Sequence, residues 1–334
     1  MVVGLATMLG LAAMVVVLGA LWVYQGPGPA ARSGDVTNVV LRRGASLPEI
    51  AGSLEQAGVI RSSSLFLTAA QTTGAARKLK AGEYEFPTHA SLRQVLAKIR
   101  DGKIVRHHVT VAEGLTSDMV VAILMKAPEL TGTVATPPEG SILPETYQVQ
   151  RGEDRSAVLQ RMMDDRDEVL DKLWADRQPG LPFETKDQAV TMASIVEKET
   201  GLARERPHVA AVFINRLRQG IRLGSDPTII YGLTRGQPLG RGIRQSELQR
   251  QTPYNTYLID GLPPTPIANP GKAALAAVLN PMKSDDLYFV ADGTGGHVFA
   301  STYAEHERNV ANWRQVERSK AAAPVASKTP LAGG

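Results

Sequence analysis

Cysteine is absent from this 334-residue chain. That excludes a disulfide framework, a thiolate nucleophile and any thiolate-bound metal. Blocks of one charge are absent too: 37 basic and 33 acidic residues alternate to a net +4, with a pI near 9.2. A nucleic-acid-binding protein of this size concentrates Lys and Arg in an arm or stripe, so no nucleic-acid partner is expected. Glu197 and Glu199 cannot share a helix face, and no His in helical register completes a metal motif with them, so neither a metal nor a cofactor is expected. Aromatics are scarce at 5%, which makes their distribution informative. Tyr231, Tyr254, Tyr257, Tyr288 and Tyr303 all lie in the last third of the chain.

Charge of either sign is missing from Met1 to Ala31, and Val2–Tyr24 (VVGLATMLGLAAMVVVLGALWVY) is a nearly unbroken apolar run. As a helix it would be about 34 Å long, against about 30 Å of bilayer hydrocarbon. It ends in Trp22 and Tyr24, as an interfacial aromatic belt would. A cleaved signal peptide has a shorter apolar region and a basic start. The run therefore reads as an uncleaved transmembrane helix over 1–24. The nearest charges, Arg32, Asp35, Arg42 and Arg43, follow it, so the positive-inside rule does not orient it.

The whole chain is 43% hydrophobic and 21% charged, ordinary for folded protein, with length for two or three domains. A Gly/Pro-rich linker occupies 25–34. Over 35–125 the pattern is that of small α+β modules. Ser46 with Glu49, and Ser91 with Gln94, form capping boxes opening helices that repeat Leu47, Ile50, Ala51, Leu54 and Leu92, Val95, Leu96, Ile99. The β-prone segments Thr37–Leu41 and Gly82–Phe86 flank them, and Ile104–Thr116 reads as a strand leading into a helix. A hinge segment spans 126–150. A larger α+β part spans 151–318, opening with an amphipathic scaffold helix over Asp154–Arg177. The tail, 319–334, has few large apolar residues and is expected to be disordered.

The most informative helix is TKDQAVTMASIVEKETGLARER (Thr185–Arg206). Thr185 and Gln188 form a third capping box, and Gly201 is a natural stop. Ala189, Val190, Met192, Ala193, Ile195 and Val196 point in nearly every direction, so its middle is buried all round. Glu197 continues the Val190–Ala193 stripe, and Glu199 lies about 200° away around the axis. Glu197 reads either as an end-of-helix charge paired with Arg204 or Arg206, or as a general acid kept neutral by its apolar collar. Downstream, Asn215 interrupts an apolar helix face, and Asp226 before Pro227 reads as a helix cap. Tyr254, Asn255 and Tyr257 cluster in the proline-rich Thr252–Gly271. His297 starts a strand after a Gly-rich turn. Tyrosine faces stack on sugar rings and amides hydrogen-bond to hydroxyl and N-acetyl groups.

The blocks ASIVEKET, VFINRLRQGIRLGSDPTIIYG, TPYNTYLIDGLPPTPIANPG and LYFVADGTGGHVFASTYAEH, in this order, resemble the YceG-like endolytic murein transglycosylases over most of residues 35–316. Two departures stand out: Gly224 precedes SDPT where the family often has Gln, and ILPETY (Ile142–Tyr147) replaces the commoner LFPDTY. The resemblance implies a single inner-membrane span, a LysM-like module at 35–125 and a catalytic domain at 151–318 on the periplasmic side. It implies that Glu197, the first Glu of EKET, is the catalytic acid/base. The expected substrate is the glycan strand of peptidoglycan, cleaved between N-acetylmuramic acid and N-acetylglucosamine to leave a 1,6-anhydro end, so the class is lyase. Endolytic trimming of nascent strands would end their elongation, with peptidoglycan synthesis enzymes as candidate partners. Asn215, Asp226, Tyr254, Asn255, Tyr257 and His297 are the expected substrate-binding residues. The rival readings are a non-catalytic cell-wall-binding scaffold and a hydrolytic muramidase.

Overall fold

The computed structural model describes residues 2–322, without the side chains of residues 2–7, 9 and 320–322. It is mixed in α and β and divides into two units. The first takes the chain up to Val109 with Ala127–Gly132 and Tyr147–Asp154; the second takes Thr110–Lys126, Thr133–Thr146 and the chain from Arg155 on.

The first unit opens with helix α1 (Val2–Gln25), followed by β1 (Val36–Leu41), α2 (Leu47–Gln56), α3 (Ser63–Thr72), β2 (Gly82–Pro87) and α4 (Leu92–Asp101). The two strands pair antiparallel with Val39 opposite Tyr84. Period-2 alternation turns Val39, Leu41, Tyr84 and Phe86 to one face, where Ile50, Leu54, Phe66, Leu96 and Ile99 cover them. The expected capping boxes are formed at Ser46–Glu49 and Ser91–Gln94. Helix α3 was not anticipated. Glu83 points away from that core and is held by His107 Nε2 at 2.7 Å and Arg151 Nε at 2.9 Å. Burial pushes its carboxyl up, but the two hydrogen bonds outweigh this and leave it below its ordinary value.

The expectation of a transmembrane helix at 1–24, and of an inner-membrane anchor with a periplasmic domain, is not upheld. Among the described residues, no helix is long and apolar enough to cross a membrane. The end of α1 instead joins the first unit: it packs on α4, and Tyr24 lies beside the apolar cluster. The following Gly/Pro-rich segment is also docked. Gly28 N–H donates to His89 O at 3.1 Å, His89 N–H to Pro29 O at 2.9 Å, and Ala31 N–H to Thr88 Oγ1 at 3.1 Å.

The strand β3 (His107–Thr110) is followed by α5 (Ser117–Lys126), β4 (Leu130–Thr131), β5 (Thr146–Val149) and β6 (Glu153–Asp154), with β4 and β6 paired in parallel. The second unit continues with α6 (Arg155–Ala175), α7 (Lys186–Glu199), α8 (Arg206–Arg218), α9 (Asp226–Thr234), α10 (Gln245–Leu248), α11 (Lys272–Leu279), the antiparallel strands β7 (Tyr288–Ala291) and β8 (His297–Ala300), and α12 (Tyr303–Ala322). Residues 319–322 of the expected disordered tail thus lie in α12, and the rest of it lies outside the described residues.

Helix α7 is the axis of this unit, packed by α8, α9 and α11. Every residue from Ala189 to Glu197 is buried. Its two small polar side chains are satisfied: Thr191 Oγ1 donates to Asp187 O, and Ser194 Oγ donates to Thr191 O while accepting from Ile267 N–H. Close to it, Gly140 has φ +78°, and a Cβ there would lie 2.6 Å from Pro266 Cγ and 2.9 Å from Val190 Cγ1, so only glycine fits. The buried Asn269 amide ties the surrounding loops together, donating to Leu115 O at 3.0 Å and accepting from Ile142 N–H at 3.0 Å.

Met192 is fully buried at the centre of α7. Met192→Ala is expected to cost about 2–5 kcal/mol through lost burial and an unfilled cavity. Thr185→Ala, which removes the capping box of the same helix, is expected to cost about 1 kcal/mol. Denaturant unfolding of the two variants checks the order.

Candidate functional site

Helix α7 ends at Glu199 because Thr200 takes an extended conformation. The last two acidic side chains therefore leave the same helix end in different directions. Glu197 turns inward. Its Oε1 accepts from Arg206 Nη2 at 3.0 Å and its Oε2 from Gly271 N–H at 2.9 Å, and Arg206 also holds Glu113 at 3.0 Å. Only 4% of the Glu197 side chain is exposed. Burial pushes its carboxyl above the ordinary value, helped by Glu113 and opposed by the Gly271 N–H and Arg206.

Glu199 faces the other way, into a cleft of about 570 Å3 that it lines with Arg216, Gly224, Asp226, Tyr257, Tyr288, Tyr303 and His306. Its carboxylate accepts a hydrogen bond from Ser225 Oγ. Burial, with the Asp226 charge adding to it, pushes the Glu199 carboxyl up to about 7, against the opposing effects of Ser225 and Arg216. Such a group is near half-protonated at neutral pH, the condition under which one carboxyl both donates and recovers a proton.

The rest of the cleft is built around that group. Arg216, from α8, donates through Nε to Leu287 O and through Nη1 to Leu223 O, both at 2.6 Å. This fixes its guanidinium 5.2 Å from the Tyr288 ring centre. Gly224 has φ +57°, and a Cβ there would sit 3.4 Å from Arg216 Nη1 and 3.7 Å from Tyr257 Cε1. The residue where the family often has Gln thus lies on the cleft wall in a left-handed conformation. The N-cap of α9 is Ser225, not Asp226 as the sequence suggested. Asp226 is the first helical residue, and its carboxylate accepts from Tyr257 O–H at 2.7 Å. Thr256 pins this corner: its carbonyl accepts from Gly224 N–H at 3.0 Å, and its hydroxyl oxygen from Ser225 N–H at 2.9 Å.

Of the seven residues expected from sequence, two, Asp226 and Tyr257, lie in the cleft with Glu199. Asn215 donates to the carbonyls of Ser284 and Asp286, and Asn255 to those of Leu248 and Arg250. Both amides are taken up in holding loops. Tyr254 packs edge-on to Tyr231 with its hydroxyl 2.8 Å from Thr265 Oγ1. His297 Nδ1 lies 2.8 Å from Glu205 Oε2. Glu199, Arg216, Tyr288, Tyr303 and His306, which line the cleft, and Ser225 beside Glu199 were not among the residues expected from sequence. The one local signal was the position of Glu199 as the last residue before the helix stop, where a side chain escapes the all-round packing. Among the described residues, no three His, Asp or Glu are grouped to hold a metal ion.

The model of the YceG-like family matches residues 39–312. The chain belongs to that family. Its relatives include the endolytic murein transglycosylase of Streptococcus pneumoniae, 28% identical over 331 residues, covering 84% of this chain and 59% of the relative. The endolytic murein transglycosylase of Bacillus subtilis is 27% identical over 309 residues, covering 83% of this chain and 84% of the relative. The chain thus spans 59% of the length of the pneumococcal protein. A crystal structure of a YceG-like protein from Listeria monocytogenes aligns with TM-score 0.50 at 29% identity, covering 83% of this chain and 99% of that one.

Removing Arg206 would leave the Glu197 carboxylate buried without its cation. Arg206→Met is expected to cost about 3–5 kcal/mol near neutral pH. A carboxyl held above its unfolded value binds protons more readily in the folded state, so the deficit shrinks as the pH falls. Urea unfolding of wild type and variant at two pH values reads both the loss and its sign.

Proposed function

We propose that this chain is a peptidoglycan lytic transglycosylase acting within nascent glycan strands, with Glu199 rather than Glu197 as its single acid/base. The observation that carries the choice is the placement of the Glu199 carboxyl: on an open cleft beside tyrosines, with its pKa pushed up to about 7. Family membership and the names of the relatives point to the substrate.

In the proposed reaction the bond between C1 of N-acetylmuramic acid and O4 of N-acetylglucosamine breaks. Protonated Glu199 gives its proton to the departing O4. The muramoyl 6-hydroxyl oxygen then bonds to C1, and its proton returns to the Glu199 carboxylate, leaving a 1,6-anhydro end with no water consumed. Ser225 orients the carboxyl and favours its ionised form for the second step. Asp226 favours the protonated form for the first and presents negative charge towards the positive C1 centre of the transition state. Buried Glu197 and Arg206, with the exposed Glu113 on Arg206, form a clamp that holds the end of α7 against the start of α11. We propose the β1–α2–α3–β2 unit as the LysM-like module. Release of anhydro-ended fragments from a growing strand would end its elongation.

The experiment is mass spectrometry of products from purified uncross-linked glycan strands. Wild type is expected to give anhydro ends, and Glu199→Gln to lower the rate by about 10²–10⁴-fold, with Glu197→Gln within about tenfold of wild type. Loss of activity in a folded Glu197→Gln with retention in Glu199→Gln would return the acid/base role to Glu197. Reducing ends one water heavier would make the protein a muramidase, with Asp226 as its second carboxylate. Strand binding with no cleavage would favour the scaffold. Because Glu199 must start protonated, the rate should hold below about pH 7 and fall about tenfold per unit above it.

A further inference from the structure

One wall of the cleft is made of rings that the reaction just described does not use. Tyr288 stands at its centre. The His306 ring stacks on it, with centroids 5.1 Å apart and planes 22° from parallel, and the Tyr303 ring meets it edge-on at 5.9 Å. The Arg216 guanidinium lies over the Tyr288 ring, 5.2 Å from its centre. Tyr303 and His306 come from the first turns of α12, which packs against β7 and β8. That first turn is fixed by reciprocal bonds: Thr302 N–H to Glu305 Oε2 and Glu305 N–H to Thr302 Oγ1, both at 3.3 Å. The wall is thus assembled before any ligand arrives.

Tyr288 and His306 are partly buried by this packing, whereas Tyr303 keeps 60% of its surface exposed. A single exposed aromatic on a protein surface is unremarked. Tyr303 differs because a half-buried array holds it in the cleft that contains the high-pKa carboxyl. Its ring is flat and preorganised, apolar on its face and polar at its tip. That is the chemistry that takes the C–H face of a pyranose at little cost in ordering.

We infer that Tyr303, backed by Tyr288 and His306, is a sugar-stacking subsite for a pyranose of the glycan strand lying along the cleft. The inference rests on the cleft being the glycan site proposed above. It adds the C-terminal helix α12 to the substrate-binding surface.

The test is steady-state cleavage of purified uncross-linked glycan strands by wild type, Tyr303→Ala and Tyr303→Phe, with thermal melting of each. Tyr303→Ala should raise KM about tenfold with kcat within about twofold, and melt as wild type does, since the ring is mostly exposed. Tyr303→Phe should restore KM, because the ring face and not the hydroxyl makes the contact. An unchanged KM in Tyr303→Ala, a fall in kcat alone, or a Phe variant as weak as Ala would each overturn the subsite. Near wild-type cleavage by Glu199→Gln in the same assay would instead overturn the reading of the cleft. The two failures are therefore told apart in one set of assays.

Discussion

A helix buried around its whole circumference has no flank on which to place a charge. Helix α7 is in that position from Ala189 to Glu197, and the organisation of the second unit follows from it. Ionisable groups are confined to its ends. At the C-terminal end, two acids separated by one residue meet opposite environments. Glu197 remains within the packed region and is held by Arg206 and the Gly271 N–H; Glu199, half-buried, borders the cleft and is held by Ser225. Both are pushed towards the protonated form by burial. A raised pKa alone therefore does not distinguish a structural carboxyl from a reactive one; the two differ in their partners and in the cleft that Glu199 lines.

This is why the site was half legible in the sequence. The capping boxes at Ser46, Ser91 and Thr185 rest on side chains reaching backbone within three residues, and all three formed. The strands β1, β2 and β8 and the extent of α6 follow from local periodicity. The choice between Glu197 and Glu199 does not. When every position on a helix is apolar, no stripe marks the solvent side, and the direction of each carboxylate depends on partners such as Arg206, Gly271 and Ser225. Asn215 and Asn255 illustrate the same limit. An amide among apolar neighbours signals that it has partners, but not that these are the carbonyls of Ser284 and Leu248. Helix α12, with low hydropathy and no apolar stripe, gave little sign of itself, yet it supplies Tyr303 and His306.

The N-terminal correction has a related cause. Hydropathy counts residues; it does not say what a helix rests on. The last turns of α1 rest on α4, and the Gly/Pro-rich stretch that follows is bonded along the turn at His89. Composition alone described that stretch as a loose linker. Its backbone donors and acceptors are instead satisfied by neighbouring chain, as those of any docked segment must be.

The small side chain of Thr256 has a mechanical consequence. It clasps Gly224 through its carbonyl and both Ser225 and Thr228 through its hydroxyl, while its neighbour Tyr257 reaches across to Asp226. The start of α9 and the Tyr257 loop are thereby welded into one jaw. Asp226 and Tyr257 thus stand on the cleft wall as a single piece, so neither can swing aside without carrying the other and loosening Ser225 from the Glu199 carboxyl.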